Sequence, residues 1–172
     1  HHTLGATFIL RMDDTAAKVY ASSYNDTLPA STVFSVSDGG SNNQSGNKYV
    51  SYCLSEKQGY SKFGSYTGNG STDGPFIYTG FRPAFLIVKR SSSSGEWRIM
   101  DSTRTPFNWT SNILFAENNA AENTSEAEST YGVDLLSNGF KIRASHGAYN
   151  TSGETYIYMA FAENPFKNSN AR

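Results

Sequence analysis

The chain has 172 residues, a net charge of −1 and a charged fraction of 17%. That fraction is low against the usual quarter, and neither sign forms a patch suited to nucleic acid or an anionic membrane surface. No apolar run approaches the roughly 20 residues of a membrane span, and the single cysteine, Cys53, rules out an intrachain disulfide.

Tyr, Phe, Thr and Val suit pleated, half-buried surfaces, whereas the abundant Gly, Asn and Ser suit turns. In chain order, strands are predicted at residues 7–12, 31–36, 48–54, 61–66, 76–79, 84–89, 96–101, 112–116, 139–144 and 155–162. Turn clusters separate them, among them Asp38-Gly39-Gly40, Gly68-Asn69-Gly70 and Ser137-Asn138-Gly139. Cys53 falls inside an alternating stretch and reads as a small packed hydrophobe. Asn69-Gly70 suits a hairpin turn with positive φ, and Pro83 suits a strand entry, where its missing N–H costs no ladder bond. Asn138-Gly139 offers a left-handed turn position.

Within 155–162, Tyr156, Tyr158 and Ala160 share one face, and Ile157, Met159 and Phe161 share the other. Both faces are largely apolar, which predicts a central strand covered on both sides. The run Phe85-Leu86-Ile87-Val88 reads the same way. Residues 120–130 are polar all round and read as a surface loop with one helical turn. Many short strands with regular turn punctuation predict an all-β chain, a β-sandwich or jelly roll.

One motif occurs twice. Ser45 to Glu56 returns as Ser152 to Glu163, displaced by 107 positions. Two further echoes, Ile9-Leu10 with Ile113-Leu114 and Ser37-Asp38-Gly39 with Ser137-Asn138-Gly139, keep the same order at displacements of 104 and 100. Duplication is the economical explanation. It divides the chain into residues 1–58, the C-terminal part of a first β repeat, and residues 59–172, a complete second repeat. On this expectation 48–54 and 155–162 are equivalent central strands, and the chain is part of a longer polypeptide.

The string Gly59-Tyr60-Ser61-Lys62-Phe63-Gly64-Ser65-Tyr66-Thr67-Gly68-Asn69-Gly70 leads on to Gly80-Phe81-Arg82-Pro83-Ala84-Phe85-Leu86-Ile87-Val88. Then come Trp97, Asp101-Ser102, Leu136-Ser137-Asn138-Gly139-Phe140 and Ser152-Gly153 before Tyr156-Ile157. This pattern resembles a repeated domain, mostly without an assigned biochemical role, in virion structural proteins of tailed phages, marine ones especially. The resemblance implies a tail-fibre or other surface-appendage protein in the virion. Its expected partners are copies of itself, other virion proteins and a host-surface glycan. It carries no catalytic residues, and nucleic acid, membrane insertion and cofactors are not expected.

The residues themselves leave two other readings open. Phe107, Asn108 and Trp109 follow Pro106 in a polar loop, where the indole offers a stacking face for a sugar and Asn108 and Asp101 offer hydrogen bonds. The bland alternative pins Trp109 to the core or to a neighbouring subunit, and Trp97, in an alternating strand, reads as core. A carbohydrate-binding module is thus the alternative function. A glycan-degrading enzyme is weaker still: it needs two convergent carboxylates, and no spacing singles out a pair among Glu96, Asp101, Glu117, Asp134, Glu154 and Glu163. His1, His2 and His146 are too scattered for a zinc motif. Asp13-Asp14 and Asp73 match no calcium-loop spacing.

Overall fold

The computed structural model of the chain describes residues 1–38, 40–123 and 128–164. The described chain is all-β, as predicted, with one four-residue helix, Glu128–Tyr131, and two short 3-10 turns near the N-terminus. Ten strands form antiparallel sheets: β1 (Phe8–Ile9), β2 (Val19–Tyr20), β3 (Ser61–Thr67), β4 (Phe76–Tyr78), β5 (Pro83–Arg90), β6 (Trp97–Asp101), β7 (Leu114–Phe115), β8 (Val133–Leu136), β9 (Gly139–Ile142) and β10 (Thr155–Ala162). A five-stranded sheet has the order β3-β10-β5-β6-β7, a three-stranded sheet the order β4-β9-β8, and β1 and β2 form a small ribbon.

β10 is an interior strand of the large sheet, beside the middle strand β5. Tyr156 pairs with Tyr66 of β3 on one side and with Arg90 of β5 on the other. Its Tyr156, Tyr158 and Ala160 enter a core with Tyr66, Leu86, Val88 and Met100 from the same sheet. Ile77, Val133, Leu135, Phe140 and Ile142 of the small sheet close that core from above. This is sheet-on-sheet packing, a sandwich. Aromatic pairs organise it: Tyr66 stacks on Tyr156 at 5.1 Å between centroids, and Phe140 meets Tyr158 edge-on at 5.2 Å.

The opposite face of the large sheet carries Phe85, Ile87, Trp97, Ile99, Ile157 and Met159. Leu4, Phe8 and Leu10 of the N-terminal segment cover it. The prediction that β10 and β5 are covered on both sides therefore holds, and the second cover comes from the start of the chain. The indole Nε1 of Trp97 donates to the Arg11 carbonyl at 2.8 Å, and the Lys18 N–H donates to the Ser91 carbonyl at 3.0 Å. Trp97 is buried, as expected.

Several local expectations need correction. Residues 31–36 and 48–54 form no strand; they are irregular and largely exposed, without a sheet partner among the described residues. The expected equivalence of 48–54 with β10 fails accordingly: Tyr156 is buried in a central strand, whereas Tyr49 is exposed and bonded only locally, to Gly40 and Gln44. Alternating apolar residues make a strand only when a neighbouring backbone supplies the ladder, and β10 has β3 and β5 where 48–54 has none among the described residues. For the same reason Cys53 is exposed rather than packed. β2 and β8 were not anticipated, and the expected strand at 7–12 shortens to Phe8–Ile9.

Two turns also differ from expectation. Gly70 has φ +72° as anticipated, but the Asn69-Gly70 turn carries the chain from the large sheet to the small one and closes no hairpin. Asn138-Gly139 closes the β8–β9 hairpin without positive φ. Glycine is needed at 139 for another reason: a Cβ there would collide with the Ile77 carbonyl oxygen of β4. Pro83 opens β5, as its missing N–H suggested. Of the polar stretch 120–130, residues 124–127 lie outside the described residues.

Candidate functional site

The loop 107–109 is the first candidate. Phe107 is 79% exposed and Trp109 is half-buried. Asn108 is spent on structure: its Oδ1 accepts from the Leu135 N–H at 3.0 Å and its Nδ2 donates to the Leu135 carbonyl at 3.2 Å. The side chain thus pairs with the free edge of β8 as a neighbouring strand would. Thr110 continues the pairing, its N–H donating to the Val133 carbonyl at 2.8 Å. Asp101 is likewise engaged, accepting from the N–H groups of Thr103 and Arg104 and pairing with the Arg104 guanidinium at 2.8 Å. The amide and carboxylate that a sugar would need in this loop are therefore occupied, and Phe107 remains as its exposed contact.

The other candidate carboxylates are dispersed over separate partners. Glu96 pairs with Arg98, Asp134 with Arg143 at 3.1 Å and Glu163 with Arg82 at 2.6 Å. Glu117 accepts from the Trp97 N–H at 3.1 Å, and Glu154 accepts from the hydroxyls of Ser92 and Ser93. Those serine hydrogen bonds hold the Glu154 carboxyl below its ordinary range. Asp73 is lowered too, chiefly by its hydrogen bond to Lys141. A general acid needs the opposite shift. Among the described residues no group of three His, Cys, Asp or Glu side chains is arranged to hold a metal.

Exposed large apolar side chains gather in residues 28–38 and 40–54. Val50, Tyr52 and Leu54 are 80%, 89% and 60% exposed, and Leu28, Val33, Phe34, Val36 and Tyr49 are exposed as well. Single exposed apolar residues are ordinary; here several lie along backbone that has no ladder partner among the described residues. The alternation was legible in the sequence; its lack of a partner was not.

Sequence reasoning missed Asn150. It is fully buried and fully bonded. Its Nδ2 donates to the carbonyls of Ser71 at 2.7 Å and Ala144 at 3.0 Å, and its Oδ1 accepts from the Asn69 N–H at 2.8 Å. It ties the crossover loop after β3 to the loop before β10. In the sequence it is one Asn among many polar loop residues, and only its burial distinguishes it.

A family model for a domain of unknown function, DUF7483, matches residues 1–165. The chain belongs to the DUF7483 family. No curated protein and no solved structure matches it. The DUF7483 match takes in the N-terminal cover, the exposed stretches 28–38 and 40–54 and both sheets, so it runs through both of the units expected from the repeat.

Proposed function

We propose that this DUF7483 protein is a structural subunit of a tailed-phage virion, in a tail fibre or another surface appendage, and that it works by assembly. The virion setting rests on the resemblance carried by residues 59–166. Assembly rests on one observation: the unpaired segment 48–54 presents Val50, Tyr52 and Leu54 to solvent. Bare, β-capable backbone with apolar side chains is suited to strand addition by another subunit. Copies of the same chain and other virion proteins are the partners, with a host-surface glycan as a further one.

Dispersed, partnered carboxylates favour this reading over a glycan-degrading enzyme. No described helix is long and apolar enough to cross a membrane. Sedimentation analysis tests the proposal. The wild-type chain is expected to self-associate, and a Val50→Thr/Tyr52→Ser double variant is expected to sediment as a folded monomer. A wild-type chain that stays monomeric at the highest soluble concentration removes the basis for the assembly role.

A further inference from the structure

Just before β3 the chain makes a tight antiparallel turn. The Lys57 N–H donates to the Ser61 carbonyl at 3.2 Å, and the Ser61 N–H donates back to the Lys57 carbonyl at 2.9 Å, so the two residues form an isolated bridge. Gly59, between them, has φ +73°, the positive value that glycine supplies in tight turns. The bridge fixes the register of any strand that continues it. Ser55 falls opposite Phe63, Cys53 opposite Ser65 and Ser51 opposite Thr67.

The edge of β3 that this register addresses is open. β3 is an outer strand of the large sheet and pairs with β10 on one side. The Phe63 N–H points away from β10 and donates to Glu56 Oε1 at 2.9 Å. Antiparallel ladders alternate, so the N–H groups of Ser65 and Thr67 point outward as well. Both residues are exposed, and among the described residues nothing bonds to those two N–H groups. The bridged pair and the open groups are in phase, so continuing the hairpin fills the edge. The side chains fit too, because partners across a ladder share a face. Leu54 falls beside Gly64 and Tyr52 beside Tyr66, on the face where Tyr66 enters the main core. Ser51, Cys53 and Ser55 fall on the other face, beside Thr67, Ser65 and Phe63.

Side chains stop the ladder at its next step. That step needs a bond from the Phe63 N–H to the Ser55 carbonyl. Glu56 Oε1 holds the donor, while Glu56 Oε2 pairs with Lys62 at 3.0 Å. The Ser61 hydroxyl donates to the Ser55 carbonyl at 2.8 Å. A charge beside an open edge is a common guard against strand addition.

We infer that the free edge of β3 is the seat of the chain's own segment 48–54, which zips on as an added edge strand, and that Glu56 holds it off. Seated, the segment withdraws Val50, Tyr52 and Leu54 from other subunits. That consequence rests on the assembly reading; the seat itself does not.

Disulfide trapping in the whole 172-residue chain tests it. Cys53 is the single cysteine, and Ser65→Cys places a second opposite it. Diamide, added at high dilution, takes up the two electrons and two protons released as the S–S bond forms. With Glu56→Ala the intrachain bond is expected to form roughly fivefold faster or more than with Glu56 present. It is expected to outpace by a similar factor the bond in Thr67→Cys, which is out of register. In Glu56→Ala without added cysteine, hydrogen exchange at the Ser65 and Thr67 N–H groups should slow, while exchange within β10 stays unchanged and reports an intact fold. Equal trapping of Ser65→Cys and Thr67→Cys overturns the inference. So does exchange at Ser65 indifferent to Glu56→Ala, or a bond that forms only between chains, which makes a second copy the occupant. Sedimentation of the trapped monomer separates the two readings: if it self-associates as freely as the reduced chain, the assembly role of 48–54 fails and the seat stands.

Discussion

Lys89, buried in β5, donates from Nζ to the Ala16 carbonyl at 2.9 Å, joining the centre of the large sheet to the segment that covers it. The same ammonium reaches the carbonyls of Thr15 at 3.2 Å and of its neighbour Arg90 at 2.9 Å. Burial lowers its pKa, with Asp14 and Glu117 acting in the opposite direction. Three carbonyl oxygens are what make a charged group tolerable there. Removing the ammonium in Lys89→Met leaves the Ala16 and Arg90 carbonyls without this donor. The expected cost is about 1–3 kcal/mol, measured by urea unfolding. Hydrogen exchange should accelerate first at the Lys18 N–H, whose bond to Ser91 depends on the same docking. Unchanged exchange there would show that the segment is held by apolar contact alone.

Trp97 anchors that apolar contact. It sits with Leu4, Ile87 and Ile157, and its indole N–H caps the Arg11 carbonyl. Trp97→Ala should destabilise the fold by about 3–5 kcal/mol, as expected for a large side chain deleted from a packed site. Trp97→Phe should recover most of the packing but leave the Arg11 carbonyl unpaired, at about 1 kcal/mol. Thermal unfolding of the two variants separates volume from hydrogen bond. Equal losses would mean that the Arg11 contact carries the effect.

Asn150 is the polar counterpart inside the main sandwich. Asn150→Ala strips donors from the Ser71 and Ala144 carbonyls and an acceptor from the Asn69 N–H. A loss of about 3 kcal/mol is expected, together with faster hydrogen exchange at Asn69 and Gly70. Asn150→Asp should do no better, because a carboxylate cannot donate to two carbonyls. A stable Asn150→Ala protein would show that water replaces the amide.

His146 supplies a pH dependence. Its ring packs against Tyr131 at 5.2 Å, and its Nδ1 accepts from the Ala148 N–H at 3.1 Å. Burial, then the nearby Arg98 and Arg90 guanidinium groups, lower its pKa below the ordinary 6.5, with Glu96 opposing. In the window between the folded pKa and 6.5 the unfolded chain therefore binds the proton and the folded chain does not. Stability falls as pH drops through that window and is unaffected above it. His146→Gln should flatten that acid-side decline. Proton NMR titration of the ring checks the direction directly, and a folded midpoint above 6.5 would reverse the prediction.

How much was legible beforehand differs by element. Central strands β5 and β10 could be read because both of their faces are apolar, a property carried by the residues themselves. Pro83 marked the start of β5 for an equally local reason. The stretch 48–54 shows the limit of such reading. Its pattern echoes β10, yet a strand is a relation between two backbones, and no periodicity within seven residues reveals whether a neighbour is present. Asn108 failed differently: its amide looked free for a ligand, and only the approach of Leu135 showed it occupied.

Composition, alternation and turn residues by themselves determined an all-β chain, its central strands and the burial of Trp97, because these depend on side-chain polarity and local φ, ψ preference. Tertiary structure alone decided that Leu4, Phe8 and Leu10 of the N-terminal segment cover the second face of the large sheet and that Asn150 is buried. It alone decided that the row from Val50 to Leu54 stays bare. Each of these depends on which distant segments meet, and the free energy of such meetings lies in surfaces that no local stretch of sequence contains.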